Sequence, residues 1–206
     1  MSDEKKPVVE MVLGKSKEQL VRGSYLNVFK PKLNSQSNKM ECSAQFLIPK
    51  TSPEAKEIKD AIASLKQQVW TAKKKPVPPL WWNPLRDGDT DVKQNGKPYG
   101  AEAKGMYVLA AKTGNDQEGN VVIPEVVGPV KDADGKFVRL SSGEIKSGDY
   151  VRAKIRLVPY EKGTGGVGVY FNLLQKTKTG DALGNGSQSA EDAFDEFDAD
   201  EEDPLG

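Results

Sequence analysis

A row of cations flanked by tyrosines marks the segment Gly148 to Tyr160, GDYVRAKIRLVPY. Its residues alternate between apolar and polar, and successive side chains of a β-strand point to opposite faces, so the pattern predicts a strand with one face in the core. The solvent face carries Tyr150, Arg152, Lys154, Arg156 and Tyr160, and Tyr170 joins it from the returning strand. Cations neutralise phosphates and flat rings stack on unpaired bases, so this face predicts binding of a single-stranded polynucleotide. An ordinary solvated face is the competing interpretation.

A second group of candidate residues lies in the long loop from Pro76 to Gly100, which contains Trp81, Trp82 and Arg86. A loop of this length is usually functional or disordered, and paired tryptophans argue against disorder. Neighbouring residues of an extended chain point in opposite directions, so we expect one tryptophan in the core and the other free to stack on a base. Two lysines at the end of an earlier strand are further candidates for DNA contacts, although exposed lysines are common: Lys30 and Lys32.

Several residue types that enzymes use are absent from this sequence. It has no histidine and a single cysteine, Cys42, which excludes Ser-His-Asp triads, Cys/His zinc sites and an intrachain disulfide. The acidic stretch from Asp87 to Asp91 fails the calcium-loop pattern, because Val92 stands where that loop needs glycine. We therefore expect no enzyme activity, metal or cofactor. A magnesium-dependent nuclease acting through Asp87 and Asp89 is the alternative function.

The charges of the chain are segregated along the sequence. Lysine and arginine total 30, aspartate and glutamate also total 30, and the formal net charge is +0. Nine of the acidic residues lie between Glu191 and Gly206, where there is no lysine or arginine, so residues 1–190 keep all 30 basic residues and 21 acidic ones. A basic body with an acidic end is typical of proteins that bind nucleic acids.

The acidic segment also contains apolar residues at intervals, which a merely solubilising tail would not need. The residues expected to bind a partner are Phe194, Phe197, Asp200, Glu201, Glu202, Asp203 and Leu205. Acidic residues interleaved with apolar ones predict a disordered peptide that docks in basic pockets with apolar floors. Such pockets are expected on a replication partner and in this protein's own DNA groove, where the tail would compete with DNA. A disordered tail without a partner is the other interpretation.

Short apolar runs between turn residues predict six or seven strands. Val21 to Lys30, ended by Pro31, and Met40 to Ile48 are expected to form an antiparallel pair. Val167 to Lys176 is expected to return beside the cationic strand. Its predicted inward face is Val167, Val169, Phe171 and Leu173.

One helix is predicted, with Ser52 as its N-cap and Pro53 at its first position. Its apolar face recurs at three- and four-residue intervals through Ile58, Ile62, Leu65 and Val69. Together these elements predict a mainly β fold, an OB-type five-stranded barrel with extra strands, one amphipathic helix and long loops. A β-sandwich with one packed helix is the alternative.

The predicted organisation is a DNA-binding domain over residues 1–178, a flexible linker over 179–190 and a disordered acidic tail over 191–206. No run approaches the roughly 20 apolar residues that span a bilayer, and the first residues lack the apolar core of a signal peptide. We therefore expect a cytoplasmic protein without membrane contact.

Four segments resemble a tailed-phage family of single-stranded-DNA-binding proteins. They are Val21 to Lys32 (VRGSYLNVFKPK), Asn83 to Asp89 (NPLRDGD), Gly148 to Tyr160, and Gly166 to Lys176 (GVGVYFNLLQK). The resemblance implies an OB-fold with an acidic tail that recruits replication proteins such as a polymerase, helicase or nuclease. It also implies a role in phage DNA replication and recombination in the cytoplasm of the host cell. Such proteins present an apolar residue near the end of the tail, a place that Leu205 fills here, before Gly206.

Residues and resemblance together predict a non-enzymatic protein that coats single-stranded DNA without strong sequence preference. The nuclease named above and an adaptor whose basic face meets an acidic protein are the alternatives. The sequence leaves open whether duplex DNA also binds and whether the protein forms a homodimer.

Overall fold

The computed structural model describes residues 7–16, 19, 21–34, 37–71, 74–93 and 95–183. The predicted acidic tail and most of the predicted linker lie outside these residues. In chain order the strands and the helix are β1 (Val9–Leu13), β2 (Val21–Asn34), β3 (Lys39–Pro49), α1 (Pro53–Lys66), β4 (Leu85–Asp87), β5 (Met106–Lys112), β6 (Glu125–Lys131), β7 (Phe137–Arg139), β8 (Tyr150–Tyr160) and β9 (Gly166–Lys178).

Five of these strands close a barrel. The order around it is β8, β2, β3, β5 and β9, and β9 then pairs with β8 to complete the circle. The β5–β9 pairing is parallel and the other four are antiparallel. β1 adds to the edge of β8, β4 adds to β5, and the β6–β7 hairpin adds to β9. The predicted five-stranded barrel with extra strands and one helix is confirmed.

The barrel interior is filled by alternate residues of each strand. On β8 the inward residues are Val151, Ala153, Ile155 and Leu157, each no more than 2% exposed. Phe46 of β3 and Phe171 of β9 meet edge to face across the interior, with ring centroids 6.0 Å apart. The predicted inward face of the cationic strand is therefore confirmed.

Helix α1 begins where the sequence predicts. Ser52 has extended backbone angles, and its hydroxyl accepts a hydrogen bond from the Ala55 N–H at 3.2 Å. The buried face continues past Lys66 through a π-helical turn, Gln67–Thr71, which places Val69 in the core with the predicted residues of α1. Among the residues described, no helix combines the length and apolar character needed to cross a bilayer.

Two predicted strand details are wrong. β2 does not end at Pro31 but continues to Asn34. The proline is tolerated because the β2–β3 register shifts between Asn27 and Lys32, and β8 pairs with β2 only near Val21, so no ladder hydrogen bond needs its missing N–H.

Leu173 is not inward as predicted but 42% exposed. A register shift between β8 and β9 after Lys154 inserts an extra residue into β9, so Leu174 takes the buried place. The prediction assumed a regular two-residue alternation along β9, and the bulge interrupts that alternation.

The buried carboxylate of Asp149 holds the start of β8 to the chain that follows β9. Its oxygens accept hydrogen bonds from the N–H groups of Lys146 and Gly180, and it pairs with the Lys176 ammonium at 3.0 Å. Burial raises the pKa of Asp149, but these bonds and the ion pair outweigh burial and hold the pKa below its usual value of 3.8.

We expect Asp149→Asn to lower the free energy of unfolding by about 3 kcal/mol, because a partly buried ammonium would lose its partner. The lowered pKa makes the carboxylate's contribution fully present above pH 3.8, and it is lost as pH falls through the folded-state pKa. Denaturant unfolding between pH 7 and pH 2 should therefore show a smaller acid-induced loss in the variant than in the wild type. Asp60→Asn, which breaks an exposed pair with Lys56, is the control and should cost less than about 0.5 kcal/mol. Equal effects of the two variants would contradict the role of Asp149.

Candidate nucleic-acid interface

Three aromatic side chains lie against two glycines on the outer face of β9. A Cβ atom at Gly166 would lie 2.7 Å from the Trp82 Cβ and 2.9 Å from the Tyr160 hydroxyl oxygen. A Cβ atom at Gly168 would lie 3.1 Å from the Tyr170 ring. A side chain at Gly166 would collide with Trp82 and with the Tyr160 hydroxyl, and one at Gly168 would press against the Tyr170 ring. We call Trp82, Tyr160 and Tyr170 the aromatic platform.

Backbone hydrogen bonds hold Trp82 beside the start of β9. Its N–H donates to the Gly165 carbonyl at 3.0 Å and its carbonyl accepts from the Val167 N–H at 3.3 Å, which forms a short parallel bridge to β9. Gly166 has a φ of +153°, a conformation that side-chain-bearing residues rarely adopt. The predicted candidates Tyr160, Tyr170 and Trp82, which are far apart in sequence, are therefore brought together.

Trp81 does not join the platform. It packs against the main core, and its ring meets that of Trp70 edge to face with centroids 6.2 Å apart. Adjacent residues of the extended chain point in opposite directions, so Trp81 is the inward tryptophan. The geometry favours Trp82 over Trp81 for stacking on a base, and both assignments to the DNA-binding site stay predictions.

Cations surround the platform. The Arg86 guanidinium carbon lies 5.3 Å from the centroid of the Trp82 ring. Tyr170 is flanked in the sheet by Lys112 of β5 and Arg156 of β8. Lys112 also pairs with Glu41, with 3.1 Å between the ammonium nitrogen and the carboxylate oxygen. Lys112 was missed in the sequence because its position beside Tyr170 depends on a pairing between strands distant along the chain.

The cations predicted on β8 are exposed and occupy every second position, as the alternation requires. They are Arg152, Lys154 and Arg156, and we call them the cation row. Lys154 pairs with Glu10 of β1 at 3.1 Å, an acid whose position the sequence did not predict. Both side chains are about half exposed, and such pairs contribute about 0–1 kcal/mol, so a phosphate can replace the carboxylate at little cost. Within the described chain, neither arginine of the row forms an ion pair.

A second line of alternating rings and cations extends from Trp82 through residues that the sequence analysis missed. The Tyr99 hydroxyl interacts with Arg86, and burial raises the pKa of Tyr99. The Lys93 ammonium lies 5.9 Å from the ring centroids of both Tyr99 and Tyr25. We call this set the alternating row: Trp82, Arg86, Tyr99, Lys93 and Tyr25.

Tyr25 owes its exposure to a local distortion of β2. Its φ is +48°, it lies at a register shift between Ser24 and Asn27, and it is 53% exposed. A tyrosine in the left-handed region is uncommon, and no local sequence pattern announces this one. The regular alternation of the surrounding strand hides it.

Three predicted site residues do not belong to the platform. Tyr150 is at the opposite end of β8 from Tyr160, roughly 33 Å away along the strand, and its ring is approached by Arg22 and Lys178. The other two are the exposed residues Lys30 and Lys32 of β2. Lys32 lies opposite Glu41, the carboxylate that also holds Lys112.

Asp87 and Asp89, the predicted nuclease residues, are held by a lysine. The Lys50 ammonium lies 2.5 Å from Asp87 Oδ1 and 2.7 Å from Asp89 Oδ2. Hydrogen bonding to Lys50 is the main cause that lowers the pKa of both carboxyl groups. Asp89 also accepts a hydrogen bond from the Gly105 N–H at 3.0 Å. The two acids therefore brace the loop, and their arrangement does not favour the nuclease.

Comparison with known proteins adds to this geometry. The single-stranded DNA-binding protein from bacteriophage Enc34 in complex with ssDNA superposes with a TM-score of 0.59 and 24% identity, over 87% of this chain and 91% of that chain. Bacteriophage T7 gp2.5, a single-stranded DNA-binding protein, gives a TM-score of 0.57 and 16% identity, over 93% and 96% of the two chains. At these identities the likeness establishes the fold. A comparison with curated proteins gives no significant match.

A family model settles the relationship at the level of sequence. The model described as Enterobacter phage Enc34, ssDNA-binding protein, matches residues 10–205, nearly the whole chain. The match includes the barrel strands and extends into the acidic segment. The chain therefore belongs to the Enc34 family of phage ssDNA-binding proteins.

Proposed function

We propose that this protein binds single-stranded DNA, without base-specific readout, on the aromatic platform and the alternating row. The observation that carries the proposal is the gathering of Trp82, Tyr160 and Tyr170 over Gly166 and Gly168, with cations on both sides. Every base has a flat face, so rings that stack on bases and cations that meet phosphates bind any sequence. Bases of a duplex are already stacked, so the platform favours single strands.

The position of the platform on the barrel supports this role. OB-folds bind oligonucleotides on the outer face of their second and third strands and on the loops between strands 1 and 2 and between strands 4 and 5. In the present barrel those strands are β3 and β5, and the loop between strands 4 and 5 ends at Gly166, under Trp82 and Tyr160. The alternating row borders the same region, because Arg86 of β4 pairs with Val108 of β5.

Family membership and the charges of the chain support a biological role in phage DNA metabolism. A protein that coats single strands without sequence preference serves phage DNA replication and recombination, and it needs no catalytic group for this. Family membership and the alternation of acids with Phe194, Phe197 and Leu205 support two roles for residues 191–206. They bind replication proteins such as a polymerase or helicase, and they compete with DNA for the protein's own cations.

The two adjacent tryptophans give a direct test of the platform. Adding oligo-dT should quench the intrinsic fluorescence of the wild type, because a base stacked on Trp82 changes the environment of its ring. Trp82→Phe should lose most of the quenching, and Trp81→Phe should keep it, because Trp81 is partly buried against the core. Quenching that disappears with Trp81→Phe and survives Trp82→Phe would overturn the assignment.

The contribution of Tyr170 can be measured by binding affinity. We expect Tyr170→Ala to weaken binding of a dT oligonucleotide by about 1–3 kcal/mol, or roughly 5- to 150-fold in Kd, the usual loss for one stacked base. Fluorescence anisotropy of a labelled oligonucleotide measures the Kd, and a thermal melt of the variant provides the control for folding. An unchanged Kd in a folded variant would refute the role of this ring.

Competition by residues 191–206 predicts a salt-dependent effect. Deleting them should raise DNA affinity at low salt, and the difference from the full chain should shrink as salt screens the charges. A full-length variant with the nine acids of this segment replaced by Asn and Gln is the matched control for chain length, and it should behave like the deletion. Equal affinities of all three proteins at low salt would disprove the competition.

A further inference from the structure

A groove with the chemistry of a nucleic-acid site lies further along β8 and β9, beyond the platform. The β6–β7 hairpin and the outer faces of β8 and β9 enclose a groove of about 930 Å³, which we call the hairpin groove. Phe137 of β7 lines one side and is 42% exposed, and Leu173 lies at the base, turned outward by the β9 bulge. Neither residue belongs to the aromatic platform or to the alternating row.

The hairpin groove is strongly basic. Five cations line it: Lys131, Lys136, Arg139, Arg152 and Lys154. The lining contains two carboxylates, Glu125, which pairs with Arg139, and Asp132, which accepts hydrogen bonds from the N–H groups of its own turn. The excess of positive charge on an exposed surface favours an extended polyanion.

The hairpin groove also contains an aromatic ring with a cation over it, as the aromatic platform does. The Lys131 ammonium lies 5.1 Å from the centroid of the Phe137 ring. This geometry resembles that of Arg86 over Trp82 on the platform. A base can stack on such a ring while its phosphate meets the neighbouring cation.

The cation row connects the aromatic platform to the hairpin groove. Arg156 lies beside Tyr170 of the platform, and Lys154 and Arg152 line the hairpin groove. From Arg156 to Arg152 the strand covers roughly 13 Å, and the row places a cation at every second residue of that span. Glu10, which lies opposite Arg156 and pairs with Lys154, is about half exposed, so a strand of DNA that leaves the platform at Tyr170 can displace this carboxylate and follow the cations to the groove.

We propose that single-stranded DNA continues from the platform along the cation row into the hairpin groove, which forms a second DNA subsite. Its phosphates contact Lys131 and Lys136, and one base stacks on Phe137. This inference rests on the proposed function, because it assigns a further segment of the same ligand. It also explains why β6 and β7 extend the sheet beyond the five strands that close the barrel.

The test compares a short and a long oligonucleotide on the full-length protein. A dT6 oligonucleotide is long enough for the platform alone, whereas dT20 also reaches the groove. We expect Lys131→Glu combined with Lys136→Glu to weaken dT20 binding about tenfold or more and to leave dT6 binding unchanged. The salt dependence of dT20 binding should fall by about 1.4 in the slope of log K against log salt, the value for two single-strand phosphate contacts.

A second variant and a charge-matched control sharpen the experiment. Phe137→Ala removes the ring without changing charge and should weaken only dT20 binding. Lys56→Glu combined with Lys104→Glu makes the same change in net charge on exposed residues outside both sites, and it should affect neither oligonucleotide more than slightly.

Three other results of the hairpin variants would each contradict the inference. If the hairpin variants weaken dT6 and dT20 equally, the effect is one of general charge and the groove is not a separate subsite. If both affinities are unchanged, DNA does not enter the groove. If dT6 binding becomes tighter, the groove holds an acidic peptide such as residues 191–206 instead of DNA. Failure of the proposed function is distinct from these results, because Tyr170→Ala in a protein with an intact groove would then leave dT6 binding unchanged.

Discussion

The two-residue period of the barrel strands is the constraint on which the rest of the structure depends. A barrel of five strands has an interior that one layer of side chains fills, so every second residue must be apolar and the residues between them must face outward. On β8 this rule places Val151, Ala153, Ile155 and Leu157 inside and thereby forces Arg152, Lys154 and Arg156 into a line on the surface. The core and the cation row are two consequences of one alternation, and a slip of one residue would destroy both.

The aromatic platform lowers the stability of β9, because it requires glycines at two outward positions. Glycine within a strand lowers stability by roughly 0.5–1 kcal/mol relative to alanine, and β9 has Gly166 and Gly168 at successive outward positions. Neither glycine is needed by the interior, which is filled by Val167 and Val169. What the glycines provide is room, because Trp82, Tyr160 and Tyr170 lie where their side chains would be. Stability given up on an outer face in order to seat aromatic rings is typical of a binding surface.

Sequence patterns were sufficient wherever a residue's environment depends on its near neighbours. The alternation of β8, the Ser52 cap and the opposite directions of Trp81 and Trp82 all follow from local geometry. The failures have a different physical origin. Leu173 faces outward because of a bulge, and Tyr25 is exposed because its φ is positive; both distortions are set by the pairing of strands and not by local preference. Lys112 and Glu10 reach the site through contacts with strands far away in sequence, which no short pattern encodes.

The burial of the ion pairs separates cations that hold the fold from cations available to a ligand. Lys176 is largely buried against the fully buried Asp149, and removing either partner would leave a charge with nothing to replace it. Lys154 pairs with Glu10 where both side chains are about half exposed, so water or a phosphate can take the place of the carboxylate almost without loss. The Lys154–Glu10 pair lies between the two arginines of the cation row and reduces the repulsion among the three cations in the free protein. In the proposed complex each phosphate displaces a carboxylate or a counterion, so we expect the affinity of this surface for DNA to fall steeply with salt.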